Sequence, residues 1–467
     1  MKIPTLLAKQ LKAHSLVPTE IIFEKNLTLE QVQDKYDATI LRTVLLEKGV
    51  NKILVILPVN EIINFSRLGQ FSNQSLNIIP ITSCEKYFTH CDPETAPPLT
   101  TKLITNTFIS YSIKKVDEVI FESGKTGLLI KLSTQDFLKL HPTANITEFT
   151  QKPPILDGLY ETPDNNNPSN LTPDHDIKAS LKRLYKLPPL PDIAMQIIQL
   201  KNNPKADARQ LADLIQQDPS LTAQVIRYAK SAFYNYKGKI SSVHEAISRV
   251  LGFDLVMNMA LGLSTGKTLK NPPDGPLGLN EFWKHAVYSA ILARNLSKKI
   301  NLQQRPNPNL AYLAGLLHNY GFLVLGHLFQ PEFFLLNKLY GANLDKPIVL
   351  IEKHALGMGS GQNAIKLGHA ELGSWLFESW KLPKEIIIAA REHHNYNYKG
   401  EHANYSALIG IVDSALGLHK MGDNRNKDIS PLFCKSLNLD PEIVLIELEK
   451  VILLEEQIQS LTQQFAA

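Results

Sequence analysis

Cysteine is nearly absent: Cys84, Cys91 and Cys434 are the only three among 467 residues. Widely spaced and odd in number, they form neither a disulfide framework nor a zinc pattern. The expected setting is a reducing cytoplasm. Long apolar runs are missing too. None approaches the roughly 18 residues of a membrane-crossing helix, so no membrane partner is expected. The opening "MKIPTLLAKQLKAH" is broken by Lys9, Lys12 and His14, and a secretory signal is not expected there. Charge of one sign is lacking as well. A net +4 over the whole length is too thin to imply nucleic acid. What remains, 44% hydrophobic and 20% charged residues, is ordinary for a globular chain of about three domains.

The chain changes character along its length. In residues 1–149 the stretches "NKILVILPV" (Asn51–Val59), "LNIIPIT" (Leu76–Thr82), "DEVIFESG" (Asp117–Gly124) and "GLLIKLS" (Gly127–Ser133) are short, β-branched and bounded by turn residues. They are expected strands of an α/β domain. The segment before Thr43 has helical spacing. Residues 150–176 hold five prolines, four asparagines and few large apolar side chains. Such a stretch buries too little surface to offset its ordering entropy, so a flexible linker is expected. From residue 177 the chain reads as helices. Asp218-Pro219 marks a helix start and Gly252 a stop. Strand-like alternation is nearly absent, and no fixed-period repeat is visible. The tail "VILLEEQIQSLTQQF" spaces Val451, Leu454, Ile458 and Leu461 as heptads do, but two heptads are too few for a coiled coil. A last helix docked on the body is expected within residues 423–467.

Within the helical half, histidines recur in apolar helix-like segments: His285 in "FWKHAVYSA", His318 in "GLLHNYG", His369 in "LGHAELGSWLFESW", and His393 and His394 in "AREHHNYN". Asp413 lies in "IGIVDSALG". Imidazoles bind borderline metals, and a carboxylate between two metals holds a nucleophilic water. A lone histidine on an apolar helix more often packs than ligates, and packing is the expectation for His327, His354 and His402. For the other set, spacing alone leaves packing and ligation both open.

Residues 177–422 resemble the HDOD (HD-related output) domain. The match runs through "LPPLPDIAMQIIQL" (Leu187–Leu200), "LADLIQQDPSLTAQVIRYAKSAFY" (Leu211–Tyr234), "SVHEAISRVLG" (Ser242–Gly252), "LAGLLHNYGFLVL" (Leu313–Leu325), "HAELGSWLFESWKLP" (His369–Pro383) and the pair at 393–394. The resemblance implies an all-α HD-like bundle used in signalling or regulation. Set beside the related HD-GYP phosphodiesterases, it implies metal-ligand positions at His285, His318, Asn319, His369, His393, His394 and Asp413. Asn319 stands where those enzymes have a bridging aspartate. A carboxamide is neutral and bridges cations poorly. Phe322 stands where a lysine is frequent. The implied site is a hydrolase remnant holding at most one loosely bound divalent ion.

The first 145 residues or so resemble the YbaK/ProX-type aminoacyl-tRNA editing domain, through "ATILRTVLLEKGVNKILVILPVN" (Ala38–Asn60), "CDPETAPPL" (Cys91–Leu99) and "FESGKTGLLIKLSTQDFLKL" (Phe121–Leu140). That family hydrolyses the ester of a mischarged tRNA with a lysine and a Gly/Pro loop. The implied pocket residues here are Arg42, Thr95 and Lys125. Arg42 replaces the lysine; it keeps the positive charge that can hold a terminal phosphate or ribose, but its planar fork differs from a point ammonium, so the exchange is not conservative. Thr95 replaces a glycine and obstructs close backbone approach. A hairpin-turn role is the simpler reading of Lys125.

Three functions follow, in order. The first is a cytoplasmic regulatory protein whose α/β domain senses an aminoacyl-tRNA or analogue and whose helical half engages a signalling partner, with a second copy of the chain as a further candidate partner. The second is an aminoacyl-tRNA deacylase with a regulatory half. The third is a metal-dependent phosphohydrolase.

Overall fold

In this computed structural model the described residues are 3–458, except 24–28, 30–35, 37, 49, 65–66, 69–76, 80–85, 93–94, 154–186, 202, 232–233, 235, 267–268, 270, 272–274, 357–367, 426–427 and 456–457. The chain divides into two compact units. The first holds Met1–Ile155 together with Gln330–Ala342 and His354–Gln362, and the second holds the rest. The division therefore differs from a single cut at the Pro/Asn-rich segment.

The first unit is a mixed sheet. Its strands are β1 (Thr19–Ile22), β2 (Thr39–Lys48), β3 (Asn51–Pro58), β4 (Ile62–Ile63), β5 (Asn77–Ile78), β6 (Asn106–Ser110), β7 (Glu118–Lys125), β8 (Leu128–Ser133), β9 (Asn145–Thr147) and β10 (Thr150–Gln151). The main order is β1-β8-β7-β2-β3-β6-β9, with β5 added on β2, while β10 pairs with β4. β2–β3 and β7–β8 are antiparallel; β2–β7, β3–β6 and β6–β9 are parallel. The central strands are nearly continuous apolar runs because both sheet faces are covered. Alternate residues of β3 show it. Leu54 and Ile56 join Leu7, Leu11, Phe121 and Phe137 on one face. Val55 and Leu57 join Val44, Leu46, Phe108, Phe149 and Leu335 on the other. Leu335 comes from the helix Gln330–Ala342, so a distant stretch of sequence completes the second face.

Two expectations change here. Residues 39–42, expected in a helical segment, lie in β2, where Arg42 faces Leu57 across the pair. Thr150 and Gln151, expected to open the linker, form β10 against Ile62–Ile63. Phe149 is fully buried beside them and anchors that end. Most of the expected linker, and of "LNIIPIT", lies outside the described residues.

The second unit is helical, and every strand among the described residues lies before residue 152. Asp218 caps the helix Pro219–Ala229 by accepting from the Leu221 N–H, and Gly252 sits at positive φ just before the helix Phe253–Gly266. The indole of Trp380 donates to the Pro188 carbonyl, 2.9 Å away, which ties down the "LPPLP" segment. The tail forms the helix Pro441–Ile452, with Val451 and Ile458 buried and Leu461 outside the described residues. No helix among the described residues is long and apolar enough to cross a membrane.

Candidate metal centre

The apolar segment around His318 is two helices rather than one. Pro308–Leu317 ends at His318, and Asn319 (φ −94°, ψ 12°) starts Tyr320–Leu328. Gly321 follows because a Cβ there would overlap the His369 carbonyl, so the second helix can press against the start of Gly368–Ser379. His285 comes from Leu279–Ser297, His393 ends Lys384–Glu392 with His394 next to it, and Asp413 comes from Ala403–Gly417.

These elements gather the side chains into two groups. The first is His285, His318 and Asp413; the second is His369, His393, His394 and Asp423. In the first, His285 Nε2 lies 3.2 Å from His318 Nε2 and 3.4 Å from Asp413 Oδ1. In the second, His369 Nε2 lies 3.3 Å from His393 Nε2, 3.2 Å from His394 Nε2 and 3.3 Å from Asp423 Oδ2. The groups adjoin, since the His318 and His393 rings are 5.1 Å apart. His394 is only partly buried, its side chain 18% exposed, and each of the other six residues is at most 3% exposed.

Hydrogen bonds on the outer nitrogens fix what the inner ones can do. The Nδ1–H groups of His318 and His393 donate to the Gly315 and Ala390 carbonyls, at 2.8 and 2.7 Å. Their Nε2 atoms therefore carry lone pairs, because burial keeps both rings neutral. It pushes His318 down to about 3 and His393 well below the usual imidazole value. Burial likewise pushes His285 down to about 4. His369 differs. Burial lowers it, but Glu352 and then Asp423 outweigh burial and hold it above the usual value. Glu352 accepts from both the backbone N–H and Nδ1 of His369 at 2.8 Å, an outer carboxylate that orients an imidazole as metal sites require. Phe322 stacks on the same ring, with centroids 4.1 Å apart.

The carboxylates are short of partners. Asp413 Oδ1, both oxygens of Asp423, His285 Nδ1 and Asn319 Oδ1 are buried without a hydrogen-bond partner. Burial and the neighbouring Asp423 hold Asp413 well above the carboxylate range. Burial acts the same way on Asp423, but His394 and then His369 hold it well below. A proton on one nitrogen serves one acceptor at a time, whereas several lone pairs meet here. A cation serves all of them. Two donors bound at about 2.0–2.1 Å around one tetrahedral ion stand roughly 3.3–3.4 Å apart, close to the spacings observed. Imidazole and carboxylate together suit borderline ions such as zinc, iron, cobalt or manganese.

Asp423 is the residue that sequence reasoning missed. It lies in the irregular "KMGDNRNKD", where no periodicity marks it as buried. His402 pairs at the surface with Glu401, His327 is half-buried, and the side chain of His354 lies outside the described residues.

The α/β pocket residues behave differently. Lys125 Nζ donates to Asp92 Oδ1 at 2.8 Å, Thr126 N donates to Asp92 Oδ2 at 3.0 Å, and Thr95 Oγ1 donates to the Asp92 carbonyl at 2.7 Å. Asp92, also missed, thus gathers Thr95 and Lys125. Arg42 is half-buried in the middle of the sheet.

Residues 187–396 match the HDOD domain family. This segment is an HDOD domain. Asp413 and Asp423 lie beyond the matched residues, so the two side-chain groups are completed by chain that follows the HDOD match. A protein from Marinobacter aquaeolei VT8 assigned to signal transduction is similar over 100% of both chains, at 27% identity and a TM-score of 0.55. An HDOD domain protein of unknown function from Geobacter sulfurreducens matches 62% of this chain and 96% of its own, at 24% identity and a TM-score of 0.50, which speaks to fold alone. An uncharacterized protein of Treponema pallidum (strain Nichols) is 28% identical over 230 residues, 49% of this chain; the chain spans 41% of the length of that curated relative.

Proposed function

We propose that this HDOD protein is a cytoplasmic regulator whose helical half is held together by buried divalent metal and does not hydrolyse phosphodiesters. One observation carries the reading: seven ligand-type side chains converge with unpartnered nitrogen and oxygen atoms, and only His394 has more than a trace of exposure. Structural metal sites are closed, while catalytic ones keep a position open to substrate. His285, His318 and Asp413 would hold one ion, and His369, His393 and His394 belong to the adjoining group. Bound metal would supply the positive charge that these carboxylates lack. Asn319 in place of a bridging aspartate and Phe322 on the His369 ring both weaken the case for a metal-bound hydroxide. The full-length similarity to a protein assigned to signal transduction supports the regulatory part. Elemental analysis of the purified protein, paired with a cyclic-dinucleotide hydrolysis assay, tests it. Metal without hydrolysis is expected; rapid turnover would defeat the reading.

The α/β unit fits a sensor of aminoacyl-tRNA or an aminoacyl analogue better than a deacylase. The ammonium of Lys125 and the hydroxyl of Thr95 are both engaged by Asp92, which leaves neither committed to a substrate ester. Turnover of a mischarged-tRNA panel should be slow or absent, and Arg42→Lys should raise it. Fast wild-type turnover that Arg42→Lys does not improve would favour the deacylase.

A further inference from the structure

We propose that Asp423 is a metal ligand, completing a second ion site with His369, His393 and His394, and that it supplies the negative charge that Asn319 does not. The inference rests on the metal reading above and goes beyond it by adding a residue and an ion.

Asp423 is placed for this by a turn built around the other group. Gly422 has φ +83°, and a Cβ there would collide with the His285 ring. The chain can therefore pass directly against the first group and deliver the next side chain into the second. The main chain of Asp423 is fixed as well. Its carbonyl accepts from Ile348 N at 3.2 Å, at the start of the helix Ile348–Leu356. That helix carries Glu352, which orients His369. Two supports thus converge on the second group: Glu352 aims the His369 nitrogen, and the turn aims the Asp423 carboxylate at it.

The chemistry of Asp423 points to a cation. It is 1% exposed, and neither oxygen has a hydrogen-bond partner. Its Oδ2 stands 3.3 Å from His369 Nε2 and 3.6 Å from His394 Nε2. A buried carboxylate whose oxygens lack hydrogen bonds is costly even beside imidazoles. A proton on His369 Nε2 can serve only one of Asp423, His393 and His394 at a time, although all three stand within 3.3 Å of that nitrogen. One divalent ion meets every atom at once. With Asp423 counted, each group has its own carboxylate. Two neighbouring cations then each have an adjacent anion to offset their repulsion, without an aspartate at position 319. The expectation of at most one loosely held ion gives way to two.

The test uses full-length protein stripped by chelation, dialysed and titrated with Co²⁺ alone, with stoichiometry from elemental analysis and ligation from the visible spectrum. Wild type should take up two ions. Asp423→Asn, which keeps the shape, should lose one ion or weaken it about 100-fold or more. It should leave the ion that Asp413→Asn removes. Circular dichroism checks the fold of each variant. If Asp423→Asn does not fold, His394→Gln, at the most exposed ligand, should lose the same ion. Two ions bound with unchanged affinity in Asp423→Asn would overturn the proposal. So would a single wild-type ion that is lost in Asp413→Asn and indifferent to Asp423→Asn. Either result leaves the metal reading standing. No Co²⁺ uptake by the wild type would overturn both.

Discussion

The Lys125–Asp92 pair of the α/β unit and the His369–Asp423 pair of the helical unit each join a nitrogen base to a carboxylate, yet they are opposite kinds of object. Asp92 has both oxygens hydrogen-bonded, one to Lys125 at 2.8 Å and one to Thr126 N at 3.0 Å. Its lysine partner is 44% exposed. Asp423 is buried, stands 3.3 Å from His369, and has no hydrogen bond on either oxygen. The first pair is complete as it stands and screened by water, so it is worth little and needs nothing. The second is incomplete and out of water, so something else must offset its cost. Proximity of an acid and a base is common to both. What distinguishes a site is the combination of burial with unmet bonding capacity.

The largest effect that would sharpen this contrast comes from Glu352. Glu352→Ala should leave His369 buried with its Nδ1–H unsatisfied and its orientation loose. Breaking a buried pair from one side costs about 3–5 kcal/mol, read as a fall in the denaturant midpoint at unchanged slope. A loss below about 1 kcal/mol would mean that the Glu352–His369 contact behaves like the Lys125–Asp92 pair.

His141 offers a buried histidine outside any ligand group. Burial pushes it down to about 4, against the pull of the Pro98 carbonyl. The unfolded chain therefore binds this proton first. The stability due to neutral His141 is complete above about pH 6.5 and declines as pH falls towards 4, by about 3 kcal/mol in all. Hydrogen exchange of the helix Thr134–Lys139 should quicken across that window, and His141→Gln should flatten the dependence. Metal should not change it. An acid response of that helix abolished by metal would break the separation between the two regions.

Asn319→Asp is a smaller step of about tenfold, or roughly 1.4 kcal/mol, in metal affinity. It restores a charge at nearly constant volume beside His318, in a position whose Oδ1 is already buried and unpartnered. Competition with a chromophoric chelator should show tighter binding. Hydrolysis of cyclic dinucleotides should not return, because Phe322 stacks on His369 where related hydrolases often carry lysine. Unchanged metal affinity would place position 319 outside the ion's reach.

Much of the arrangement was legible in the sequence where periodicity and burial go together. His285, His369 and Asp413 sit inside apolar helices, and the helical half was readable from its spacing. β2 was not, because "TILRTVLLEK" packs against neighbours on both faces and so loses the alternation that marks a half-buried strand. The helix Gln330–Ala342 shows the same limit from the other side. Its apolar residues announce burial, but nothing in them says that Leu335 belongs to the core behind β3. Asp423 was hidden for a third reason. A charged, irregular stretch reads as a solvated turn, and only the packing of Gly422 against His285 turns its side chain inward.

The smallest expected effect is the one that most directly tests the opening contrast. Lys125→Met keeps the length of the side chain and removes the ammonium from Asp92. Hydrogen bonding to Lys125 and to Thr126 N holds the Asp92 carboxyl below the usual carboxylate range. With the lysine gone, the Thr126 bond remains and water can reach the freed oxygen, because the pair is partly exposed. The cost should be under about 1 kcal/mol, and it should shrink further in high salt as the ion pair it replaces is screened. If Lys125 serves only as a staple of the β7–β8 turn, binding of an uncharged aminoacyl analogue to the α/β unit should not change. A large loss of binding at unchanged stability would make Lys125 a ligand-contacting residue after all, and it would show that a fully satisfied surface pair can still be a working site.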